Sequence, residues 1–363
     1  MSMATVNVTQ ATRLEANKRE EILKDPGFGK HFTDHMVSIT WTQKNGWEDI
    51  KVIPYGPITL DPASSVLHYG QEIFEGLKAY RAPNGEIQLF RVVENAKRFQ
   101  DSARRLALPE LPIEMFQQAV EELVRIDADW VPKGEDTSLY IRPFMYADES
   151  FLGVRAAQKV RFLVIASPAG PYFAGGVKPV SIWLSENYSR AGEGGTGAAK
   201  CGGNYAASLL PQEEAASHGC AQVMFLEAGS EDTIDELGGM NLFLVSSDKK
   251  LITPALTGNI LPGITRASLI QLAKDRGFEV QERRVSVSEW REGVAKGNIT
   301  EAFACGTAAV ITPIGKLRTA DERDIDFGDN APGDFTMSLR AELTDIQTGK
   351  KPDPHGWVTK VEV

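Results

Sequence analysis

The chain is poor in cysteine and histidine, has no excess of basic residues and contains no long apolar run. Three cysteines in 363 residues, Cys201, Cys220 and Cys305, are too few and too scattered for a disulfide framework or a thiolate metal cluster. They read as reduced thiols of a cytoplasmic protein. Of the five histidines, His31 and His35 have helical metal-ligand spacing, but they precede a strand, so no metal site is expected. No stretch is apolar for long enough to cross a bilayer, and the polar N-terminal segment lacks the apolar core of a signal peptide. Basic residues number 39 against 49 acidic ones, a formal net charge of −10. A phosphate backbone or an anionic membrane would be repelled by that balance, which disfavours nucleic-acid and membrane partners. Internal repeats and low-complexity tracts are absent too.

What remains is a soluble globular composition, 42% apolar and 8% aromatic, long enough for one large or two ordinary domains. The first thirty residues read as a solvated arm with one short helix. Met36–Trp41 alternates as a strand, and Leu77–Arg81 with Ile87–Phe90 reads as a hairpin around Asn84-Gly85. Helices are expected over Val92–Leu106 and from Pro112, the latter burying Phe116, Val120, Leu123 and Val124. Leu139–Tyr146 and Val160–Ala166 are strand-like. The Pro- and Gly-rich segment SPAGPYFAGGV reads as an interdomain loop, 167–177, between domains 1–166 and 178–363. The second half reads as strand 179–185, a glycine loop over 191–203, helix 204–218 and strand Gln222–Glu227. Hairpin strands near 232–236 and 240–246 follow, then helix 263–275, strand 278–285, a short helix, the apolar segment 300–314 and a helix near 334–348. Strands and helices in mixed order, with hairpins throughout, predict an α+β fold.

The most unusual stretch is Gly192-Glu193-Gly194-Gly195-Thr196-Gly197-Ala198-Ala199-Lys200-Cys201-Gly202-Gly203-Asn204-Tyr205. Residues 192–197 spell the G-x-G-x-x-G of a dinucleotide fold, with Glu227 available for a ribose. However, two further glycines and a lysine come before the helix, so a pyrophosphate could not rest on its first turn. A P-loop needs Gly before the lysine and Ser or Thr after it; here Ala199 and Cys201 stand there. Small neighbours let the backbone approach a bulky planar ligand. A lysine kept from water becomes a neutral amine that attacks a carbonyl, as a Schiff base with pyridoxal phosphate demands. An exposed lysine on a flexible turn is the alternative.

That cofactor also requires a carboxylate facing its pyridine nitrogen and donors for its phosphate. Glu236, in Thr233-Ile234-Asp235-Glu236-Leu237-Gly238-Gly239-Met240-Asn241, is a candidate for the first, or else a solvated acid at a hairpin end. For the phosphate, Leu261-Pro262-Gly263-Ile264-Thr265-Arg266 opens a helix with free N–H groups, and Gly306-Thr307-Ala308-Ala309 offers a small-residue turn. An ordinary helix cap and a buried β-turn are the plainer meanings of these two.

Together these segments resemble the branched-chain amino acid aminotransferases, fold-type-IV pyridoxal phosphate enzymes. The likeness runs from about Phe28 to the C-terminal helix. Its further motifs are Phe28-Gly29-Lys30…Phe32-Thr33-Asp34-His35-Met36, HYGQEIFEGLKAY from His68 to Tyr80, Leu139-Tyr140-Ile141-Arg142-Pro143 and ACGTAAVITPI near Thr307. The resemblance implies a two-domain α+β protein, with a smaller N-terminal α/β domain and a larger, pseudo-barrel-like C-terminal domain carrying the Schiff-base lysine. It implies reversible transamination between L-leucine, L-isoleucine or L-valine and 2-oxoglutarate by a ping-pong scheme, with the cofactor held between the domains.

By the same resemblance, Lys200 would form the Schiff base and carry the proton between the amino acid α-carbon and the cofactor C4′. Glu236 would pair with the pyridinium nitrogen, and Tyr205 would hydrogen-bond the phenolic oxygen. Arg98, the backbone of Ile264 and Thr265, and the Thr307 hydroxyl would hold the phosphate. For the substrate, Tyr69 and the amides of Thr307 and Ala308 would take the α-carboxylate. Phe28, Phe74, Tyr140 and Tyr172 would wall the side-chain pocket, and Arg142 at its edge would bind the second carboxylate of glutamate. Residues 149–154, with Leu152 and Val154, resemble a loop that reaches a neighbouring subunit's site, implying at least a homodimer. Two positions depart from relatives. Ala309 and Thr312 replace a Cys-x-x-Cys thiol switch, and Gly239 stands where several carry Thr. A D-amino acid aminotransferase or an aminodeoxychorismate lyase would share the fold. A nicotinamide-dependent oxidoreductase is the alternative from another class.

Overall fold

A computed structural model describes residues 4–172, 176–327 and 331–363. The chain forms two compact units. The first takes residues 1–172, 199–202 and 345–363, and the second takes 173–198 and 203–344. The main segment of the first unit ends at Tyr172, inside the expected loop 167–177, but residues 199–202 and 345–363 depart from the expected domains by belonging to the first unit. Residues 167–169 finish the strand Lys159–Ala169, paired with Ser138–Tyr140, and residues 173–175 of that expected loop lie outside the described residues. Residues 199–202, expected in the C-terminal domain, are bonded into the first unit. The N-terminal unit, expected to be the smaller, is the larger by residue count, because these residues and the C-terminal segment fold onto it.

In the first unit, a ten-stranded sheet runs in the order Val6–Val8, Ile50–Pro54, His35–Thr42, Lys159–Ala169, Ser138–Ala147, Leu77–Arg81, Ile87–Phe90, Val358–Val361. Two short strands, Gly46–Trp47 and Glu72–Phe74, join off that path, beside His35–Thr42 and Ser138–Ala147. Val6–Val8, read as part of the arm, pairs parallel with Ile50–Pro54, so the arm is in part a sheet edge. The expected hairpin at Asn84-Gly85 is present, with Gly85 at φ 88° where an L side chain would be strained.

Helices Val92–Arg105 and Ile113–Ile126 cover this sheet with apolar faces, and Pro112 stands at the N-cap of the second. Their Phe99 and Phe116 meet strand residue Phe162 with ring centroids 5.3–5.9 Å apart, all three rings fully buried. Replacing such a ring by alanine costs about 3–5 kcal/mol, which makes this trio the anchor of the first core.

The second unit holds a nine-stranded mixed sheet in the order Ile234–Leu237, Gln222–Leu226, Val180–Ser185, Val310–Arg318, Ile299–Gly306, Asn241–Ser246, Lys250–Thr253, Glu279–Glu282. The ninth strand, Ile325–Asp326, pairs with Val310–Arg318. Val180–Ser185 lies parallel to both its neighbours. The expected hairpin at 232–246 does not form a ladder. Ile234–Leu237 pairs with Gln222–Leu226, while Asn241–Ser246 pairs with Lys250–Thr253 and Ile299–Gly306. Locally they are joined by a tight turn, Leu237 N–H to the Met240 carbonyl, and by the Asn241 side chain, which donates to the Glu236 carboxylate.

The single helix predicted over 204–218 is two, Gly202–Ala206 and Leu209–Ser217. Pro211 has no N–H to continue the ladder, and Ser208 turns back to bond the Tyr205 carbonyl through both its N–H and its hydroxyl. The core of this unit is built on Trp290, Ile182, Leu242, Leu244 and Leu317, all buried.

Candidate active site

In the first unit the chemistry gathers around Lys200. Its N–H donates to Ser102 Oγ at 2.9 Å, and its carbonyl accepts the Phe74 N–H at 2.9 Å. Gly202 N–H donates to the Glu72 carboxylate, and a Cβ at Gly202 would collide with that same carboxylate. The loop therefore sits against the strand Glu72–Phe74 because small residues let it. Ala199 and Cys201, on either side of the lysine, are buried.

The Lys200 amine lies 4.8 Å from the Phe74 ring centroid. Burial, and then the nearby Arg98 guanidinium, pull its pKa from 10.5 down to about 8, against the opposing charge of Glu75. An ordinary lysine is almost wholly protonated at neutral pH; this one holds a usable neutral fraction.

Arg98 is buried on the helix Val92–Arg105 and reaches the fully buried Glu75 through two bonds, Nε to Oε1 at 2.7 Å and Nη2 to Oε2 at 2.8 Å. Arg142 stacks over Phe74 at 4.6 Å and over Tyr140 at 5.4 Å, and its Nη2 donates to the Tyr140 hydroxyl at 2.9 Å. Its Nε is buried with no hydrogen-bond partner. Phe28 meets Tyr140 edge-on at 5.0 Å, and a Cβ on Gly76 would strike the Tyr140 hydroxyl. Thus Lys200, Arg98, Phe28, Phe74, Tyr140 and Arg142 lie in one cluster of the first unit.

Tyr69, Leu152 and Val154 are all exposed. Tyr69 donates its hydroxyl to the Leu152 carbonyl, and Val154 is 84% exposed. Tyr172 is about half exposed. His35 is buried, its Nδ1 at 2.7 Å from Asp127 and its Nε2 accepting the Ala11 N–H. That ring pins the N-terminal arm.

In the second unit Glu236 is buried within the strand Ile234–Leu237. Its Oε1 accepts the Leu261 N–H at 3.0 Å and pairs with Arg190, and its Oε2 accepts Asn241 Nδ2 at 3.3 Å. Arg190 also bonds the Gly197 and Asn259 carbonyls, at 3.0 and 2.6 Å, so one guanidinium ties the glycine loop to the carboxylate. Ile264 and Thr265 occupy the first turn of the helix Ile264–Asp275. A Cβ on Gly263 would collide with Asn241 Oδ1, which explains the glycine in this turn. Thr307 and Ala308 lie in the turn joining the antiparallel strands Ile299–Gly306 and Val310–Arg318. Tyr205 lies in the helix Gly202–Ala206, where a side chain on Gly239 would stand 3.9 Å from its ring. A Cβ there would make ordinary van der Waals contact with the ring.

Glu75, Asn95, Glu72, Ser102 and Arg190 carry the positioning bonds, and none is singled out by motif spacing. A buried arginine demands a buried counter-charge, and that demand at Arg98 is the one signal pointing to Glu75. Among the described residues, no cluster of His, Cys, Asp and Glu could hold a metal ion.

Residues 72–317, well over half of the chain, match the family described as "Amino-transferase class IV", and the chain belongs to that family. It is 56% identical over 347 residues to a branched-chain-amino-acid aminotransferase of Mycolicibacterium smegmatis, covering 94% of each chain. Among solved structures it is similar to the branched-chain amino acid aminotransferase of Escherichia coli: TM-score 0.73, 30% identity, covering 90% of this chain and 100% of that one. It is likewise similar to the holo form, with pyridoxal phosphate, of the Thermobaculum terrenum enzyme: TM-score 0.73, 27% identity, covering 91% and 99%.

The residues of both units fit pyridoxal phosphate. Within the first unit, a partly neutral amine suits its aldehyde and a fixed guanidinium suits a phosphate; within the second, an anchored carboxylate suits a ring nitrogen and helix N–H groups suit a phosphate. Pyridoxal phosphate is the cofactor, and the nicotinamide alternative falls away.

Proposed function

We propose that the residues gathered around Lys200 and Glu236 carry out reversible transfer of the amino group between L-leucine, L-isoleucine or L-valine and 2-oxoglutarate. The observation that carries this reading is the Lys200 amine, poised near pKa 8 beside Phe74 and Arg98 in a chain of this family.

When bound, pyridoxal phosphate supplies an electron sink that acidifies the substrate α-carbon. Lys200 would attach the cofactor, and its Nζ would take the α-carbon proton and return it at the far end of the same system. Glu236, gripped by Leu261, Asn241 and Arg190, would keep the ring nitrogen protonated. Tyr205 would hydrogen-bond the phenolic oxygen. Arg98, the N–H groups of Ile264 and Thr265, and the Thr307 hydroxyl would hold the phosphate.

Arg142 would accept the second carboxylate of glutamate, with its buried, unpartnered Nε supporting a ligand there, and would turn to Tyr140 when leucine is bound. Phe28, Phe74, Tyr140 and Tyr172 would wall the side-chain pocket. Tyr69, with the amides of Thr307 and Ala308, would take the α-carboxylate. The exposed apolar group of Leu152 and Val154 supports contact with a second copy of the chain, hence a homodimer. Among the described residues no helix is long and apolar enough to cross a membrane, and the cytoplasm is the proposed location.

Lys200→Ala is the test. The wild type should be yellow, bleach with borohydride and interconvert leucine and 2-oxoglutarate, while the variant folds but does not turn over. Turnover retained in Lys200→Ala sinks the reading.

A further inference from the structure

Glu75 is the most completely hydrogen-bonded carboxylate near Lys200, and nothing in the chemistry above requires it to touch substrate. Its side chain is fully buried. Besides the two bonds from Arg98, its Oε2 accepts Asn95 Nδ2 at 2.8 Å and the Gly76 N–H at 3.2 Å. Asn95 and Arg98 stand three residues apart on one helix, so both reach the carboxylate from the same face. The backbone continues the connection: Glu75 follows Phe74, whose N–H is bonded to the Lys200 carbonyl, and the Glu75 N–H is bonded to the Pro143 carbonyl. Two guanidinium groups, Arg98 and Arg142, push charge against the Lys200 amine, and Glu75 is the carboxylate that counters them. Its own pKa is lowered: burial would raise it, but the charges and hydrogen bonds of Arg98, with Lys200 and Asn95, outweigh that.

We propose that Glu75 is a positioning residue for the transamination: it aims the Arg98 guanidinium and supplies the negative charge that offsets two arginines around the Lys200 amine. This rests on the reading that Arg98 and Lys200 hold the cofactor. A buried ion pair of this geometry is strongly disturbed when one partner is removed, because the other is left uncompensated. Neutralising Glu75 therefore frees Arg98 to move and leaves Lys200 among like charges.

The variant is Glu75→Gln in the holoenzyme, with thermal unfolding recorded to verify that it folds. Cofactor affinity, from equilibrium dialysis, should weaken on the order of tenfold or more as Arg98 loses its anchor. The pH titration midpoint of the bound cofactor's absorbance should move down by about one unit, since removing a nearby negative charge disfavours the protonated form. A merely structural role would move the unfolding temperature and leave the midpoint where it is. If Glu75→Gln does not fold, Asn95→Ala decides, because it keeps both charges and removes one donor from Oε2. A loss of affinity of a few fold at an unchanged unfolding temperature then supports the proposal, and unchanged affinity, or a loss that only accompanies a lowered unfolding temperature, overturns it. Borohydride reduction of the wild type, followed by peptide mass mapping, separates the two possible failures. A label on any residue other than Lys200 overturns the reading of the site and the proposal with it. A label on Lys200, with Glu75→Gln matching wild type in affinity and midpoint, overturns the proposal alone.

Discussion

The acidity of Lys200 can be measured without turnover. At pH 7.5 a lysine with the ordinary pKa of 10.5 is neutral in about one molecule in a thousand, whereas one at about 8 is neutral in about one in four. Burial is the largest cause of that displacement and Arg98 the next. In Arg98→Met the burial persists and the like charge goes. Two unit charges roughly 10 Å apart, at an effective dielectric of about 20, interact by about 1.7 kcal/mol, a little over one pH unit. The Lys200 titration should therefore rise toward 9 in Arg98→Met while staying below the ordinary value. Competitive labelling of the cofactor-free chain with an amine reagent, read by peptide mass spectrometry across pH 6–11, gives the midpoint directly. A wild-type midpoint above 10, or an Arg98→Met midpoint below the wild type's, would refute the electrostatic account.

Three further outcomes follow from the same geometry. Arg142→Met should raise the KM for 2-oxoglutarate about tenfold or more and change that for leucine far less, because only the former brings a second carboxylate; equal changes would remove Arg142 from substrate selection. Glu236→Ala should still take up cofactor but slow turnover by orders of magnitude, checked by stopped-flow absorbance with leucine; near wild-type rates would misplace the electron-sink partner. Asp235 is buried, its Oδ2 has no hydrogen-bond partner, and burial raises its pKa from 3.8 to about 6. A carboxyl raised in the folded state costs nothing while protonated in both states, and the penalty grows as pH rises from about 4 through 6. Asp235→Asn should thus raise the unfolding temperature at pH 7.5 more than at pH 4, and an equal shift at both would contradict it.

Much of the local structure is legible in sequence, and so is the chemistry of single segments. Asn84-Gly85 makes its hairpin because glycine accepts positive φ, and Val92–Arg105 makes its helix because its apolar residues recur on one face. Lys200 stands out by its small neighbours alone. These are short-range properties: backbone sterics and hydrophobic periodicity act over a few residues. Which strands pair, and what faces each charge, depends on contacts between residues far apart in sequence. Ile234–Leu237 and Asn241–Ser246 are adjacent in the chain, yet each finds a better partner elsewhere in the sheet. Residues 199–202 leave their sequence neighbours because Phe74, Ser102 and Glu72 satisfy their backbone groups in the other unit. The partnership of Arg98 with Glu75, and of Glu236 with Arg190, spans 23 and 46 positions and appears only when folding buries both charges together. Water would otherwise screen each of them separately; its exclusion is what makes the tertiary arrangement, and no pattern along the chain, decide the protonation of the site.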